Sequence, residues 1–416
     1  MIAIYLLLTY VFAYIGLFLV SFYILTYMSV KEPKASLGND KSVSIIIPAY
    51  NEAPCIQETI KSALKLNYPR SKFEVIVVDD GSIDDTYRLA RAVKSPYLRV
   101  FSKKNGGKGS ALNYGIARAK GEIVVTMDAD TFVDPMSLQH MVSRFHNAKV
   151  MSVTSAMGVY KPRTLWQRIQ HIEYYLSLFL NSVYARVNAI FITPGAFSAY
   201  RKSFFDNYGG FDTNTVTEDL EVALRIQSNN YTIEHASQAT FYTIAPASFR
   251  ALFVQRRRWY AGMVSNLIRY RELFSRKRGA LGSVILPAAV LSIFFSIVLI
   301  AYSIIRTANQ VRSELLSLRA IDFRFYDSFE LNRYVIGQFL YSFFSDPVYL
   351  LLLFFIVLTG FYLAYARKKM RFKESLTFNF VLFMVCYSLL FAFWWSVALL
   401  YVLFNRKVKW GKKVHE

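Results

Sequence analysis

Cysteine is scarce in this 416-residue sequence: the two are Cys55 and Cys386, in different regions of the chain. Neither belongs to a CxxC pair or to a His/Cys cluster with the spacing of metal ligands, which argues against a disulfide framework and a structural zinc site. No GxxxxGK[ST] pattern occurs, so the sequence has no Walker-type phosphate loop.

Acidic residues are few as well: 28 Asp and Glu against 49 Lys and Arg give a formal net charge of +21. Such an excess can suit a nucleic-acid-binding protein, but in a membrane protein it first reports which loops stay in the cytosol and touch anionic lipid. About 20 apolar residues suffice to cross the roughly 30 Å hydrocarbon core of a bilayer. Uncharged runs of that order lie at Ile2–Met28, Leu281–Ile305, Pro347–Ala366 and Leu376–Phe404. We therefore expect an integral membrane protein and no nucleic-acid partner.

The residues between the first and second uncharged runs carry the charges, turns and mixed periodicities of an aqueous domain. The N-terminal run has no basic n-region and no small-residue cleavage site, so we expect a retained helix. The predicted organisation is a transmembrane helix over 1–28, a soluble domain over 29–248, amphipathic interface helices over 249–280, and a transmembrane bundle with a basic tail over 281–416.

The topology of the C-terminal part is open. With the soluble domain in the cytosol, Leu281–Ile305 leads out, Pro347–Ala366 returns, and Leu376–Phe404 leads out again. The basic residues that follow Phe404 favour a cytosolic C-terminus, which conflicts with a single final span. Either Leu376–Phe404 is re-entrant or a tightly folded pair, or Tyr334–Ala366 conceals a second membrane segment. The chain thus has four or five membrane helices.

Short β-branched runs alternate with helical spacing in the soluble part. The predicted strands are Val43–Pro48, Phe73–Asp80, Leu98–Phe101 and Glu122–Met127. Alternation of this kind predicts a parallel α/β sheet, which places ligands at the carboxyl ends of its strands. A long, largely amphipathic helix is expected at Thr164–Arg186 and a shorter helix at Thr217–Ser228.

Acidic residues follow these strands. Asp79 and Asp80 end one strand, and Asp128 and Asp130 end another. Residues two apart in an extended chain point to the same side, so Asp128 and Asp130 can both face the crevice and hold Mg²⁺ or Mn²⁺. Acids at strand ends also form turns and helix caps, and a single pair would be read that way. Several clusters at one sheet edge favour a ligand site instead.

Three further motifs each have a structural and a functional interpretation. Asn105–Gly109 is either a turn before a helix or a loop that lets the backbone and Lys108 approach a phosphate. Thr217-Glu218-Asp219 is either an N-cap with first-turn acids or part of a site. Gln255–Trp259 is either a basic membrane-surface helix or a substrate-binding motif.

Taken in order, the motifs resemble those of membrane-integrated family 2 glycosyltransferases, such as cellulose, hyaluronan, chitin and poly-N-acetylglucosamine synthases. The similarity covers about 43–262. The matching segments are Ile47–Glu52, Val78–Ser82, Gly107–Asn113, Asp128–Asp130, Thr217–Asp219 and Gln255–Trp259.

This resemblance implies an α/β GT-A (Rossmann-like) domain over 29–248, on the cytosolic face of the cell membrane, that uses a nucleotide-activated sugar. It implies that Asp130 ligates the divalent cation and that Asp219, next to Glu218, is catalytic as the general base. Trp259 is implied beneath the acceptor sugar, in a pocket completed by Gly195, Ala196 and Phe197. The residues implied to bind the nucleotide sugar are Ala49, Tyr50, Glu52, Asp79, Asp80, Lys108, Asp128, Gln255 and Arg258.

The residue types suit that chemistry. A departing diphosphate develops negative charge, which a cation and Arg258 can stabilise. An acceptor hydroxyl needs a carboxylate within hydrogen-bond reach, and Asp219 suits that role. With one base and no evident nucleophile beside it, a single displacement with inversion is the simplest outcome.

The expected function is transfer of a sugar, with UDP favoured as its carrier and GDP open, to a growing polysaccharide. The alternative is a single transfer to a membrane lipid, because ceramide glucosyltransferases resemble the same pattern. A scaffold or transporter with a degenerate nucleotide-binding domain would lack some of the acids, yet every acidic position is occupied. The aromatic residues Trp394, Trp395, Phe391 and Phe393 can stack on sugars in a channel, but packing against lipid or helices is favoured.

Overall fold

The computed structural model describes residues 2–30, 37–320 and 377–404, together with single residues between 333 and 364. Its strands are β1 (Val43–Ala49), β2 (Phe73–Asp79), β3 (Leu98–Ser102), β4 (Ile123–Met127), β5 (Thr131–Val133), β6 (Val150–Val159), β7 (Phe197–Arg201) and β8 (Thr232–Thr243). Its helices are α1 (Ile2–Ser29), α2 (Ile56–Leu64), α3 (Thr86–Ala92), α4 (Lys108–Ile116), α5 (Ser137–Val142), α6 (Leu165–Arg186), α7 (Lys202–Tyr208), α8 (Glu218–Ser228), α9 (Phe249–Arg269), α10 (Leu286–Ala320) and α11 (Thr377–Leu403).

All eight of these strands form one sheet, in the order β3-β2-β1-β4-β7-β6-β8-β5. β3, β2, β1 and β4 are parallel, as the alternating pattern predicts. β7 is antiparallel to both β4 and β6, and β5 is antiparallel to β8. The sheet is therefore mixed, and the expectation of an all-parallel sheet holds only for its first half.

Alternate residues of the central strands pack on opposite faces of the sheet. Ile45 and Ile47 of β1 belong to one apolar core, and Ile46 belongs to the other. All seven residues of β1 are buried, because helices cover both faces. The β-branched runs that predict β1, β2 and β4 reflect this double burial, whereas β3 at the sheet edge is partly exposed.

The helix between β6 and β7, α6, begins with a capping box. Thr164 accepts a hydrogen bond from the backbone N–H of Gln167, whose side chain in turn accepts one from the N–H of Thr164. α6 then runs to Arg186, as its apolar spacing predicts, and contacts α1 and α11. It thereby joins the sheet domain to the apolar helices.

Two described helices are long and apolar enough to cross a membrane, Thr9–Ser29 and Leu281–Ser317. The second begins with a π-helical turn at Leu281–Ile285, and its helix continues to Ala320, beyond the end of the uncharged run at Ile305. The residues after Ile305 include polar and charged ones, but their composition favours a helix, so the same helix continues through them.

Thr377–Leu403 is one continuous helix, which rules out the tightly folded pair considered for that segment. Its composition offers no proline or glycine at which a 27-residue apolar run could turn. The other explanation, a second membrane segment within Tyr334–Ala366, falls outside the continuously described residues, as does the run Pro347–Ala366.

Candidate active site

The carboxyl ends of β1 and β2 form one wall of the candidate site. The backbone N–H of Asp80 donates to the carbonyl of Ala49 at 2.8 Å, so the two strand ends stay in register as they leave the sheet. Asp79 and Asp80 are both buried. Their carboxylates, however, have different surroundings.

The Asp80 carboxylate anchors the glycine-rich loop that precedes α4. It accepts hydrogen bonds from Lys103 Nζ at 2.8 Å and from the backbone N–H groups of Gly106 and Gly107 at 3.1 and 2.7 Å. Gly107 has φ of +86°, a conformation that favours glycine. The Asp80 carboxylate therefore fixes the position of this loop.

Asp79 is differently placed. One of its carboxylate oxygens, Oδ2, accepts a hydrogen bond from Ser102 Oγ at 2.9 Å. The other, Oδ1, is buried and has no hydrogen-bond partner within the described ranges. A buried acceptor of this kind suits an N–H group of a ligand, such as one on a nucleotide base.

Tyr50 and Glu52 lie in the loop after β1. Asn51 has φ of +55°, and its side chain accepts a hydrogen bond from the backbone N–H of Ile83 at 2.9 Å, which ties this loop to the one after β2. Tyr50 is 42% exposed, whereas Glu52 is buried and its N–H donates to Thr86. Hydrogen bonds therefore hold the two loops together, and the ring of Tyr50 remains accessible beside them.

Asp128 and Asp130 follow β4 at the centre of the sheet. The N–H of Asp128 donates to the carbonyl of Ala196 at 3.1 Å, which joins this acidic motif to the loop before β7. Asp130 is 6% exposed, and Thr243 Oγ1 donates to its Oδ1 at 3.4 Å. The two carboxylates face different neighbours, Lys108 for Asp128 and β8 for Asp130.

Only part of a metal coordination shell is present among these residues. Within the described ranges, no group of three or more His, Cys, Asp or Glu is placed to hold a metal ion. Hard carboxylate oxygens at Asp130 nevertheless fit Mg²⁺ or Mn²⁺, which take one or two carboxylates and complete the shell with phosphate oxygens and water. The donor set therefore fits a cation that arrives with a diphosphate.

Lys108, at the start of α4, joins two acidic motifs that are far apart in sequence. Its Nζ lies 2.6 Å from Asp128 Oδ1 and 3.3 Å from Glu218 Oε1. Burial alone would lower the pKa of Lys108, but the charges of Asp128, Glu218 and Asp219 outweigh it and raise that pKa above its usual value. Burial raises the pKa of Glu218 in spite of the lysine. No local periodicity reports this contact, because it joins the start of α4 to the segment after β4 and to the start of α8.

The Asp219 carboxylate is oriented by two backbone groups. Its Oδ2 accepts from the N–H of Gly195 at 3.1 Å, and its Oδ1 accepts from the N–H of Leu220 at 2.9 Å. Thr193 Oγ1 donates to the Asp219 carbonyl at 2.7 Å. A Cβ at position 195 would lie 2.8 Å from Lys108 Nζ, so glycine is the residue that lets the loop pass this close.

Phe197, predicted to complete the acceptor pocket, has its side chain in the core of the domain. It is the first residue of β7, is fully buried, and packs with a ring-centroid distance of 6.0 Å to Phe241 in the core. Gly195 and Ala196 lie in the loop beside Asp219 and Asp128. The ring of Phe197 therefore supports the loop from beneath, which an alternating strand pattern explains.

α9 brings its Gln255–Trp259 motif against the start of α8. Arg258 Nη1 donates to the carbonyl of Val216 at 2.9 Å, directly before the Thr217–Asp219 motif. The Oε1 atom of Gln255 is buried and has no hydrogen-bond partner in the described part of the chain. Trp259 is half-buried, with Arg256 against its ring. Helical periodicity alone gives no sign that α8 and α9 touch.

The aromatic residues of α11 pack against α9. Trp394 and Trp395 are buried, and the Trp395 ring stacks on Tyr260 with centroids 4.4 Å apart. Phe393 is 46% exposed and stands near Phe249 and Phe253. Helix packing, the favoured interpretation of the sequence, is confirmed for the two tryptophans.

A mixed sheet with acidic motifs at the carboxyl ends of its strands, together with membrane-type helices, defines a GT-A-like fold. Residues 44–209 match the profile of the family described as Glycosyl transferase family 2. This part of the chain is a family 2 glycosyltransferase domain, which confirms the resemblance seen in the motifs.

Curated relatives of this chain are polysaccharide synthases. A poly-beta-1,6-N-acetyl-D-glucosamine synthase of Staphylococcus aureus (strain COL) is 30% identical over 250 residues, which are 59% of this chain and 60% of that protein. The match thus spans less than two thirds of that relative. The synthase of the same name from Staphylococcus epidermidis is 29% identical over 316 residues, 74% of this chain and 76% of that protein.

Among solved structures, a mannosyltransferase, PcManGT from Pyrobaculum calidifontis, in complex with GDP-Man and Mn²⁺, has a similar fold. The TM-score is 0.59 at 22% sequence identity, and the alignment covers 90% of this chain and 99% of that chain. At this identity the similarity supports the GT-A-like fold and the helices around it.

Proposed function

We propose that this protein transfers a sugar from a nucleotide sugar to a growing polysaccharide at the cytosolic face of the cell membrane, with inversion at the anomeric carbon and with a divalent cation. One observation carries the proposal. Lys108 contacts Asp128 at 2.6 Å and Glu218 at 3.3 Å, so two acidic motifs 90 residues apart meet in one pocket, with Asp219 adjacent.

The nucleotide lies at the ends of β1 and β2 in this proposal. The buried, unpartnered Oδ1 of Asp79 accepts an N–H of the base, and the exposed ring of Tyr50 covers it. The residues proposed to line the rest of this half-site are Ala49, Glu52, Asp80, Lys108 and Asp128. Gln255, whose Oε1 is free to accept a hydrogen bond, and Arg258 face the diphosphate.

Asp130 would hold the cation. When bound, the cation neutralises the diphosphate as it leaves. Arg258 adds fixed positive charge at the same place, and burial of the pocket strengthens both effects because water is excluded. The nucleoside diphosphate departs with the electron pair of the bond between the anomeric carbon and the phosphate oxygen.

Asp219 is the general base of the proposed transfer. The acceptor hydroxyl attacks the anomeric carbon from the face opposite the diphosphate, and its proton passes to the Asp219 carboxylate. The hydrogen bonds from Gly195 and Leu220 fix that carboxylate in one orientation before the acceptor arrives. Glu218 acts beside it, through its contact with Lys108.

The acceptor sugar rests on Trp259, next to the loop of Gly195 and Ala196. Stacking of a sugar on an aromatic face provides apolar contact without fixing which hydroxyl reacts, so Asp219 determines the reacting group. The relatives named for poly-beta-1,6-N-acetyl-D-glucosamine lead us to propose N-acetylglucosamine as the sugar and UDP as its carrier.

The orientation follows from charge. Arg271, Arg276, Lys277 and Arg278 lie between α9 and the span beginning at Leu281. Positive residues next to a span favour the cytosolic side. We therefore propose that residues 29–248 form the cytosolic domain, 249–280 the interface segment, and 1–28 and 281–416 the membrane parts.

The test is to incubate the purified protein in lipid with UDP-GlcNAc, UDP-glucose and GDP-mannose, each with Mn²⁺, Mg²⁺ or EDTA. Release of nucleoside diphosphate with UDP-GlcNAc, abolished by EDTA, is expected, together with a ladder of N-acetylglucosamine oligomers by mass. Absence of nucleoside diphosphate release with every donor and cation overturns the proposal.

A single transfer to a membrane lipid is the second candidate. It is favoured by Trp394 and Trp395, which are buried against α9 and Arg256 and do not line an open aromatic channel in the described helices. In the same experiment, one sugar on an extractable lipid supports this candidate, and a ladder of oligomers supports the polysaccharide synthase.

A further inference from the structure

A buried ion pair joins three helices behind the candidate acceptor site. Arg256 of α9 is 1% exposed, and its Nη1 and Nη2 donate to the two carboxylate oxygens of Glu173 in α6, at 2.9 and 2.6 Å. Tyr387 of α11 donates through its hydroxyl to Glu173 Oε1 at 3.0 Å. Three helices distant in sequence therefore converge on one carboxylate.

The same guanidinium lies against the ring of Trp259. Arg256 Cζ is 4.4 Å from the centroid of that ring and 5.7 Å from the centroid of Trp394. Arg256 and Trp259 are three residues apart on α9, a spacing at which side chains share one face of a helix. The planar cation thus packs against one face of the Trp259 ring, and the acceptor sugar is proposed to stack on the opposite face.

A gain in folding stability does not explain the ion pair between Arg256 and Glu173. A buried ion pair costs desolvation, and apolar residues of similar volume are often as stable or more stable at such a position. A bidentate pair, however, fixes the plane of the guanidinium, and a fixed plane fixes a ring stacked on it. The neighbouring Arg257 has no such carboxylate in the described contacts: it contacts Phe253 and Tyr401.

We propose that Glu173 and Arg256, with Tyr387, are positioning residues that hold the Trp259 ring in the orientation that receives the acceptor sugar. The pair acts through Trp259 and touches neither the donor nor the reacting atoms. The inference rests on the proposed function, which places the acceptor on Trp259. Because Tyr387 donates to Glu173, the packing of α11 also affects the orientation of the Trp259 ring.

The first test compares Arg256→Met, Arg256→Lys and Glu173→Gln with the matched control Arg257→Met. The probe is a short β-1,6-linked oligosaccharide of N-acetylglucosamine as acceptor, with UDP-GlcNAc and Mn²⁺. We expect Arg256→Met to raise the acceptor KM about tenfold, the size of a lost cation–π contact. Binding of UDP and slow hydrolysis of the donor should stay unchanged, so transfer falls relative to hydrolysis. Arg256→Lys should be intermediate, because it keeps the charge but not the fork.

A second measurement does not depend on activity. The fluorescence of Trp259, taken as the difference between each protein and its Trp259→Phe counterpart, is expected to shift in Arg256→Met and not in Arg257→Met. Tyr387→Phe, which keeps the ion pair and the ring, serves if Arg256→Met does not fold. A smaller shift of the same sign is expected there.

The possible results separate the two proposals. An unchanged Trp259 fluorescence and an unchanged acceptor KM in folded Arg256→Met overturn the positioning role while transfer by the wild type stands. An equal loss of UDP binding and transfer in that variant also overturns it, because the pair would then be a general structural support. A fluorescence shift in a protein that binds no nucleoside diphosphate and releases none overturns the proposed function instead.

Discussion

The backbone N–H of Gly195 donates to the carboxylate of Asp219 at 3.1 Å, across 24 residues of sequence. This hydrogen bond holds Oδ2 of Asp219, at the start of α8, against the loop that leads into β7. A carboxylate fixed in this way needs little reorganisation before it accepts a proton. Three predictions concern this carboxylate and the residues around it, and a fourth concerns the buried His171 of α6.

Replacing Asp219 by asparagine should remove transfer and leave donor binding. The amide keeps the size of the side chain but cannot take a proton, so we expect turnover to fall by about 10² to 10⁴. Turnover is measured as oligomer formed, and donor binding by calorimetry with UDP and Mn²⁺. Asp206→Asn, on an exposed carboxylate of α7, is the control and should match the wild type. Full transfer by Asp219→Asn removes this residue from the mechanism.

Gly195→Ala should lower transfer in a folded protein. The new Cβ would lie 2.8 Å from Lys108 Nζ and 3.3 Å from Asp219 Oδ2, and the flexible lysine can move aside, whereas its contacts with Asp128 and Glu218 then lengthen. We expect kcat to fall about tenfold or more with an unfolding midpoint close to that of the wild type. A kcat equal to that of the wild type contradicts the close approach of loop and lysine.

Lys108→Met should destabilise the protein. Removing the cation leaves the buried Glu218 and the partly exposed Asp128 without their counter-charge, which costs up to about 3 kcal/mol. Chemical unfolding monitored by circular dichroism measures the loss. Addition of Asp128→Asn to Lys108→Met should restore part of it, because one unpaired charge is gone. Lys104→Met, on an exposed side chain, is the control. Equal stability of Lys108→Met and Lys104→Met contradicts the pairing.

Acid should destabilise the fold partly through His171. Burial lowers the pKa of His171 from 6.5 to about 4, so between those values the unfolded chain binds a proton that the folded chain does not. Stability from this group is complete above pH 6.5 and falls by on the order of 2 kcal/mol between pH 7 and pH 5. His171→Phe keeps an aromatic contact with Tyr175 and should lose less stability over that range.

The exposed His146 provides the comparison for that measurement. His146→Phe is expected to follow the wild-type dependence of the unfolding midpoint on pH. If His171→Phe follows it too, burial of the imidazole does not contribute to acid sensitivity.

The sequence predicts the first half of the sheet closely. β1 to β4 agree with the predicted strands to within one residue at every end, and the central strands β1 and β4 are buried on both faces, which explains their continuous apolar runs. The sequence predicts none of the other four strands, β5 to β8, among them the antiparallel β5 and β7. Their pairing with β4, β6 and β8 is non-local, so no pattern within either strand reports its direction.

The site follows the same division. Motif order indicates which residues share a pocket, and the proximity of Lys108, Asp128 and Glu218 agrees with it. The sequence does not reveal that Asp80 anchors a loop, that the ring of Phe197 lies in the core, or that Glu173 meets Arg256. Each of these depends on side-chain direction or on contacts between distant helices, which periodicity does not encode.

The crevice draws its groups from Asp79 at one end of the domain to Trp259 in α9 at the other. During synthesis, α1 leaves the ribosome long before α9 does, and domains form as their chains are completed. A nascent chain that already includes α1 therefore lacks a finished pocket until the last motif has emerged. Under the proposed function, only the completed chain transfers a sugar.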